Sequence, residues 1–291
     1  MSQLIALGCS FTKYQGYPTW ADLLSNYPKF DTYQNWGLPG LGNRGIFNRL
    51  NEVILKRNIT KDDTIVIMWS TPVREDRLFY KKGWVCCGNI YNQPIYSDEW
   101  IEKHFDPFMG LMETVNYVHA AQHILDNIGC NWAMSWLSNP SMTNTNKNWS
   151  EMPPKLDFSK SIADLCDPDK KLSEFIDKIN SHPRMLPGDI EEFKYRIMEQ
   201  HNIPALKIYK SNESEEAVED GHPNSLVGYY YLKEKMLPIL GITDFDTDRR
   251  IFDLATVWTE FTNQSRREWK NRPDFSLKHR YIEHYWPHEA F

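Results

Sequence analysis

Thr64-Ile65-Val66-Ile67-Met68-Trp69 is an unbroken apolar run, closed by Asp62-Asp63 before it and by Ser70-Thr71-Pro72 after it. A run this short, with turn formers at both ends, predicts a strand buried on both faces. Working backwards, Ile46, Leu50, Val53 and Ile54 recur at helical spacing behind a glycine-rich stretch, Gly37-Leu38-Pro39-Gly40-Leu41-Gly42-Asn43-Arg44-Gly45. Before that, Tyr33 to Trp36 reads as a short strand, and Trp20, Leu23, Leu24 and Tyr27 mark an amphipathic helix with Pro18 at its first turn. The chain opens on Gln3-Leu4-Ile5-Ala6-Leu7, another buried strand, ended by Gly8. Strand, helix, strand, helix and strand in this order predict a parallel, doubly wound sheet flanked by helices, a three-layer α/β/α sandwich of flavodoxin-like type.

Downstream the pattern is less regular. Residues 75–108 are rich in aromatics and turn formers and read as an insertion. Residues 109–128 have helical periodicity through Met112, Val115, Val118, Ile124, Leu125 and Ile128, and Cys130 to Leu137 follows as a fourth strand. A polar, proline-rich stretch over about 139–195 reads as a second insertion or cap. Ala205 to Tyr209 is the expected last strand of the sheet, and 225–237 the helix after it. This sets a domain over 1–242, with 243–291 as a helical, aromatic extension that packs on the domain or on a second subunit in a homo-oligomer.

Composition bounds the function. The chain has 291 residues, 41% hydrophobic and 25% charged, which excludes a wholly disordered chain. No apolar run approaches the roughly 18 residues of a membrane span, so no membrane partner is expected. The net charge of −6 leaves no global basic field for nucleic acid. A local patch, Arg266, Arg267, Lys270 and Arg272 around Trp269, reads as a solvated helix face. The first ten residues lack a basic n-region and run straight into a motif, so they read as a strand and not as a secretory signal. Five cysteines without regular spacing fit free thiols in a reducing cytoplasm. His119 and His123 stand four apart with neither Asp nor Glu between them, so the His-Glu-x-x-His metal pattern is absent.

Three features fall at strand ends, where open α/β sheets place their sites. They are Gly8-Cys9-Ser10-Phe11-Thr12 after the first strand, Asn35-Trp36-Gly37-Leu38-Pro39-Gly40-Leu41-Gly42-Asn43 after the second, and Asp220-Gly221-His222-Pro223-Asn224 before the late helix. Singly, each has an ordinary explanation: a serine caps helices, a glycine loop makes a tight turn, and Asp-x-His sits in solvated turns. In this order and at these places they resemble the first, second and last blocks of the SGNH (GDSL-type) hydrolase family. The resemblance spans about residues 3–75 and 200–240. An α/β-hydrolase elbow, Gly-x-Ser-x-Gly in mid-chain, does not fit a motif at residue 10 whose fifth position is Thr12.

The resemblance implies a serine esterase or O-acyl (including O-acetyl) hydrolase acting on a small-molecule or glycan ester. Ser10 is the implied nucleophile, His222 the base and then the acid, and Asp220 the carboxylate that orients it; Glu219 is a second candidate for that carboxylate. A serine hydroxyl is a weak nucleophile at its own pKa and needs such a base. The implied oxyanion donors are the backbone N–H groups of Ser10 and Gly40. The family adds an asparagine after the third strand, and here Trp69-Ser70-Thr71-Pro72-Val73-Arg74-Glu75 has none. Ser70, Thr71, Asn43 and Arg74 are the candidates to replace it, although Arg74 also suits a salt bridge with Glu75 or Asp76. Loss of one oxyanion donor typically costs about 10²–10³ in rate. One rival therefore stands beside the hydrolase, an SGNH-like domain with impaired chemistry kept for binding or assembly; transfer of the acyl group to a sugar hydroxyl is a variation on the hydrolase that no sequence feature separates from it. The chemistry needs no metal or organic cofactor.

Overall fold

The structure is a computed structural model that describes residues 2–14, 17–80, 83–91, 96–142, 160–209 and 217–262. Its chain starts with β1 (Gln3–Leu7), α1 (Trp20–Leu24), β2 (Thr32–Asn35), α2 (Asn43–Lys56) and β3 (Thr64–Trp69). All six residues of β3 are buried, as a strand covered on both faces requires. There follow β4 (Arg74–Phe79) and β5 (Gly83–Asn89), an antiparallel hairpin, then α3 (Asp98–His104), α4 (Pro107–Ile128) and β6 (Asn131–Trp136). Asp106 caps α4, Pro107 opens it, and Gly129 ends it with a left-handed φ of 74°. The remainder comprises α5 (Ile162–Cys166), α6 (Ser173–Asn180), β7 (Met185–Asp189), α7 (Ile190–Gln200), β8 (Lys207–Tyr209), β9 (Ala217–Glu219), α8 (Ser225–Tyr231), a π-helical turn (Leu232–Met236), α9 (Leu237–Leu240) and α10 (Phe245–Thr262).

Five strands form one parallel sheet in the order β2-β1-β3-β6-β7. That is the flavodoxin-like order, and the direction in which successive strands are laid down reverses between β1 and β3, which opens a crevice at their carboxyl ends. Ser10 and Ser70 lie just beyond those two ends. Trp20, Trp69, Trp132 and Trp136 are all fully buried, so much of the aromatic load is core. Trp132 and Trp136 keep their indole N–H groups bonded at its rim, to Asp126 at 3.0 Å and Asn180 at 2.9 Å.

Two expectations are corrected. Residues 205–209 do not supply the last strand of the sheet: β8 pairs with β9 in a separate hairpin. The fifth strand is β7, inside the stretch read as an insertion over 139–195. Its sequence, Met-Leu-Pro-Gly-Asp, carries two turn formers, and an edge strand tolerates them because one of its sides needs no partner. Pro18 also precedes the helix N-cap, Thr19, instead of occupying the first turn.

Among the described residues, no helix is long and apolar enough to cross a membrane, and no group of three or more His, Cys, Asp or Glu side chains is placed to hold a metal ion. His119 and His123 form an exposed pair with their Nε2 atoms 3.0 Å apart. Residues 266–272 lie outside the described residues.

Candidate active site

Gly8 makes the first loop. Its φ is +157°, and a β-carbon there would stand 2.1 Å from Thr12 Oγ1 and 3.0 Å from the Met68 carbonyl oxygen. Only glycine lets the chain leave β1 this close to β3. The loop then closes on itself, the amides of Thr12 and Lys13 both donating to the Cys9 carbonyl. Ser10 is left at the top of the sheet, 8% exposed.

The loop after β2 is stitched to this one. The Trp36 and Leu38 amides donate to the carbonyls of Ala6 (2.7 Å) and Gly8 (3.0 Å), and Asn35 Nδ2 donates to the Thr12 carbonyl at 2.9 Å. Beneath them Asp22, buried in α1, accepts hydrogen bonds from the Thr19 amide, the Thr19 and Tyr33 hydroxyls and Asn35 Nδ2. Burial pushes its carboxyl up from the usual range, and these four donors pull against that. Arg49, buried in α2, donates to the Trp36 carbonyl. Gly40 has φ +79°, a left-handed turn, and a β-carbon there would stand 3.6 Å from Cys86 Cβ and 3.8 Å from the Gly88 amide nitrogen of the hairpin.

The third loop carries Asp220, Gly221 and His222. The Asp220 amide donates to the Leu206 carbonyl at 2.8 Å, and buried Lys194 of α7 donates to the Gly221 carbonyl at 2.6 Å. These bonds aim the imidazole at the first loop. His222 Nε2 lies 2.7 Å from Ser10 Oγ, and Nδ1 lies 2.5 Å from Asp220 Oδ1. The partners assign the tautomer: a carboxylate only accepts, so Nδ1 carries the proton and Nε2 accepts from the serine hydroxyl. Asp220 is only 7% exposed in its side chain. Burial pushes its carboxyl up, but the bonds from His222 and Tyr14, together with the histidine's charge, outweigh burial and hold it below the ordinary 3.8. Glu219, by contrast, is exposed at the end of β9.

Asn43 spends its whole amide on the scaffold. Oδ1 accepts from the Ser70 amide at 2.7 Å, and Nδ2 donates to the Ser70 carbonyl at 3.0 Å and to Thr114 Oγ1 at 2.9 Å. No N–H remains for an oxyanion, so Asn43 ties α2 to the exit of β3. Ser70 and Thr71 are buried, with hydroxyls that make no hydrogen bond among the described residues. Arg74 donates to the Leu41 carbonyl at 3.2 Å and forms no ion pair with Glu75 or Asp76. Glu75 pairs with Arg77, while Asp76 accepts from the amides of Gly42 and Gly45, both at 2.9 Å, and so caps α2 from outside. Thr71 and Arg74 line a cleft of about 180 Å³ between the starts of α2 and α4, with Arg44, His104 and Glu113 around it.

Tyr14, Asp22 and Lys194 were not singled out from sequence, and Asp76 was read only as an ion-pair partner for Arg74. Only Asp22 left a local trace, since Thr19-x-x-Asp22 is a capping-box spacing.

The fold and the site together define an α/β protein with a parallel sheet in flavodoxin-like order and a Ser–His–Asp hydrogen-bonded chain at its carboxyl end. No family model matches the chain, and a search of curated proteins finds no relative. Solved structures are similar to it in outline. A lipolytic protein of the G-D-S-L family from Veillonella parvula is 12% identical at TM-score 0.39, over 80% of this chain and 98% of its own. A catalytic mutant of an acetylxylan esterase from Geobacillus stearothermophilus is 13% identical at TM-score 0.41, over 83% and 94%. A lipase from a goat rumen metagenome is 17% identical at TM-score 0.35, over 64% and 79%.

Proposed function

We propose that this chain is an SGNH-type serine ester hydrolase that works through an acyl-enzyme on Ser10. The observation that carries the reading is the unbroken path from Ser10 Oγ to His222 Nε2 (2.7 Å) and from His222 Nδ1 to Asp220 Oδ1 (2.5 Å). As Ser10 Oγ attacks the ester carbonyl carbon, its proton passes to Nε2, and Asp220 stabilises the imidazolium without taking a proton. The tetrahedral oxyanion is held by the backbone N–H groups of Ser10 and Gly40. Collapse releases the alcohol, which takes the proton from Nε2. Water, deprotonated by the same nitrogen, then cleaves the acyl-enzyme and restores Ser10. The substrate class is a short acyl ester, O-acetyl included, of a small molecule or glycan.

The experiment is covalent labelling with a fluorophosphonate probe, paired with hydrolysis of short p-nitrophenyl esters. Wild type labels and hydrolyses, and Ser10→Ala does neither. Folded wild type that takes no label and turns over no ester sinks the reading. One observation favours a binding or assembly role instead: Asn43 is fully engaged and Ser70 to Glu75 after β3 hold no asparagine, so neither supplies a side-chain amide to an oxyanion. That second reading expects no label.

A further inference from the structure

Tyr14 reaches Asp220 across 206 residues of sequence. Its hydroxyl donates to Asp220 Oδ2 at 2.7 Å. The other oxygen, Oδ1, accepts from His222 Nδ1 and from the His222 backbone amide at 3.1 Å. Both oxygens are therefore assigned. A carboxylate can turn about its Cβ–Cγ bond and offer either oxygen to Nδ1, and a donor fixed on Oδ2 removes that freedom. The Tyr14 ring also stands against the imidazole, with centroids 4.8 Å apart, while Phe11 flanks it at the same distance. Tyr14 in turn stacks on buried Tyr17 at 4.7 Å, so the phenol has little room to swing away.

We propose that Tyr14 is a positioning residue for the Ser10–His222–Asp220 chain: its hydroxyl locks Oδ2 so that Oδ1 stays on His222 Nδ1, and its ring walls the imidazole. The proposal rests on the hydrolase reading for its kinetic consequence but not for its geometry. Tyr14 acts through Asp220 and touches no reacting atom. Among the described residues, the titratable and charged groups facing this assembly are Asp220 and His222 themselves, Ser10 and Tyr17 on the first loop, and Lys194 of α7, which lies against the Gly221 carbonyl.

Tyr14→Phe keeps the ring and removes the hydroxyl, so it separates the two roles. A carboxylate relieved of one donor is more basic and holds the imidazolium more firmly. The acid limb of kcat/KM for p-nitrophenyl acetate then moves to higher pH, and kcat falls about tenfold with KM unchanged, on the scale of one lost hydrogen bond to a charged group. Incorporation of 3-fluorotyrosine at position 14, a stronger donor of nearly the same shape, moves the acid limb the opposite way and keeps the fold even if Tyr14→Phe does not. Unchanged kinetics and pH profile in both variants, with only the melting temperature altered, overturn the proposal. A readout without turnover keeps its failure separate from failure of the hydrolase reading. The downfield proton resonance of His222 Nδ1–H expected for wild type broadens or shifts in Tyr14→Phe if the lock is real, and stays put if it is not, whether or not any ester is cleaved.

Discussion

Asp220 has the most demanding position of any single residue, a buried carboxylate whose three hydrogen bonds decide the direction of the imidazole. In Asp220→Asn an amide replaces the carboxylate, and wherever its NH₂ faces Nδ1 the imidazole is pushed toward the wrong tautomer. The expected loss is about 10³–10⁴ in kcat, by the precedent of serine triads, read from ester hydrolysis at constant protein fold. The same carboxyl also makes stability depend on pH. Its folded value lies below the ordinary 3.8, so its contribution is complete above that value and is lost as pH falls through the folded one. Melting temperatures of wild type and Asp220→Asn should therefore differ most near neutrality and converge as the pH drops below about 4. A gap that stays constant down to pH 2 contradicts the assignment. Ser10, Asp220 and His222 were legible in the sequence because each sits in a short motif at a strand end. Tyr14 was not, because its role exists only where residues 14 and 220 meet.

At the scale of elements, α2 shows how a helix start becomes part of a site. Its N-cap is Gly42, which has no side chain to satisfy the first amides, so Asp76 is lent from β4 to Gly42 and Gly45. A carboxylate at a helix start is favoured by the exposed N–H groups and the helix dipole. Removing it in Asp76→Ala is expected to cost about 1–2 kcal/mol, the upper part of the range for a lost cap, measured by urea unfolding. A change within error shows that the cap is idle. Because Gly40 lies on the same loop, activity should fall further than stability alone explains. Gly8→Ala acts on the other loop. The added carbon meets Thr12 Oγ1 and the Met68 carbonyl, and relief of that clash must shift Ser10. We expect near-complete loss of fluorophosphonate labelling in a chain that still folds. The strands and helices from β1 to β3, and then α4 and β6, were legible because each carries its own periodicity, whereas β4, β5 and α3 lay hidden in the aromatic, turn-rich stretch read as an insertion. The fifth strand was hidden because an edge strand of five residues with Pro187 and Gly188 has the composition of a turn.

At the scale of the whole molecule, α10 packs behind the first loop of the site. Tyr17, Leu206, Trp258 and Phe261 form a hydrophobic cluster apart from the main core, with Tyr14 packed against it. These residues come from the first loop, the segment leading to β8, and α10. Helix α10 is also pinned to α8 by the hydrogen bond from the Leu226 amide to Thr259 Oγ1, 2.9 Å, and by Asp248, which accepts from Tyr27, Tyr229 and Lys233. The cluster thus backs Tyr14 and Tyr17, which back Asp220, so the described part of the 243–291 extension packs on the domain beside the first loop. Truncating a buried Trp or Phe to Ala typically costs about 3–5 kcal/mol, part of it as a cavity that neighbours relax into. In Trp258→Ala those neighbours include the Tyr14–Tyr17 pair of the same cluster. The variant should lose stability on that scale and, at a temperature where it is fully folded, should also lose kcat with the pH profile displaced as in Tyr14→Phe. The double variant Trp258→Ala with Tyr14→Phe then adds little to either single change in kcat, because both act through the orientation of Asp220. Full additivity in kcat shows instead that α10 stabilises the fold without holding the site.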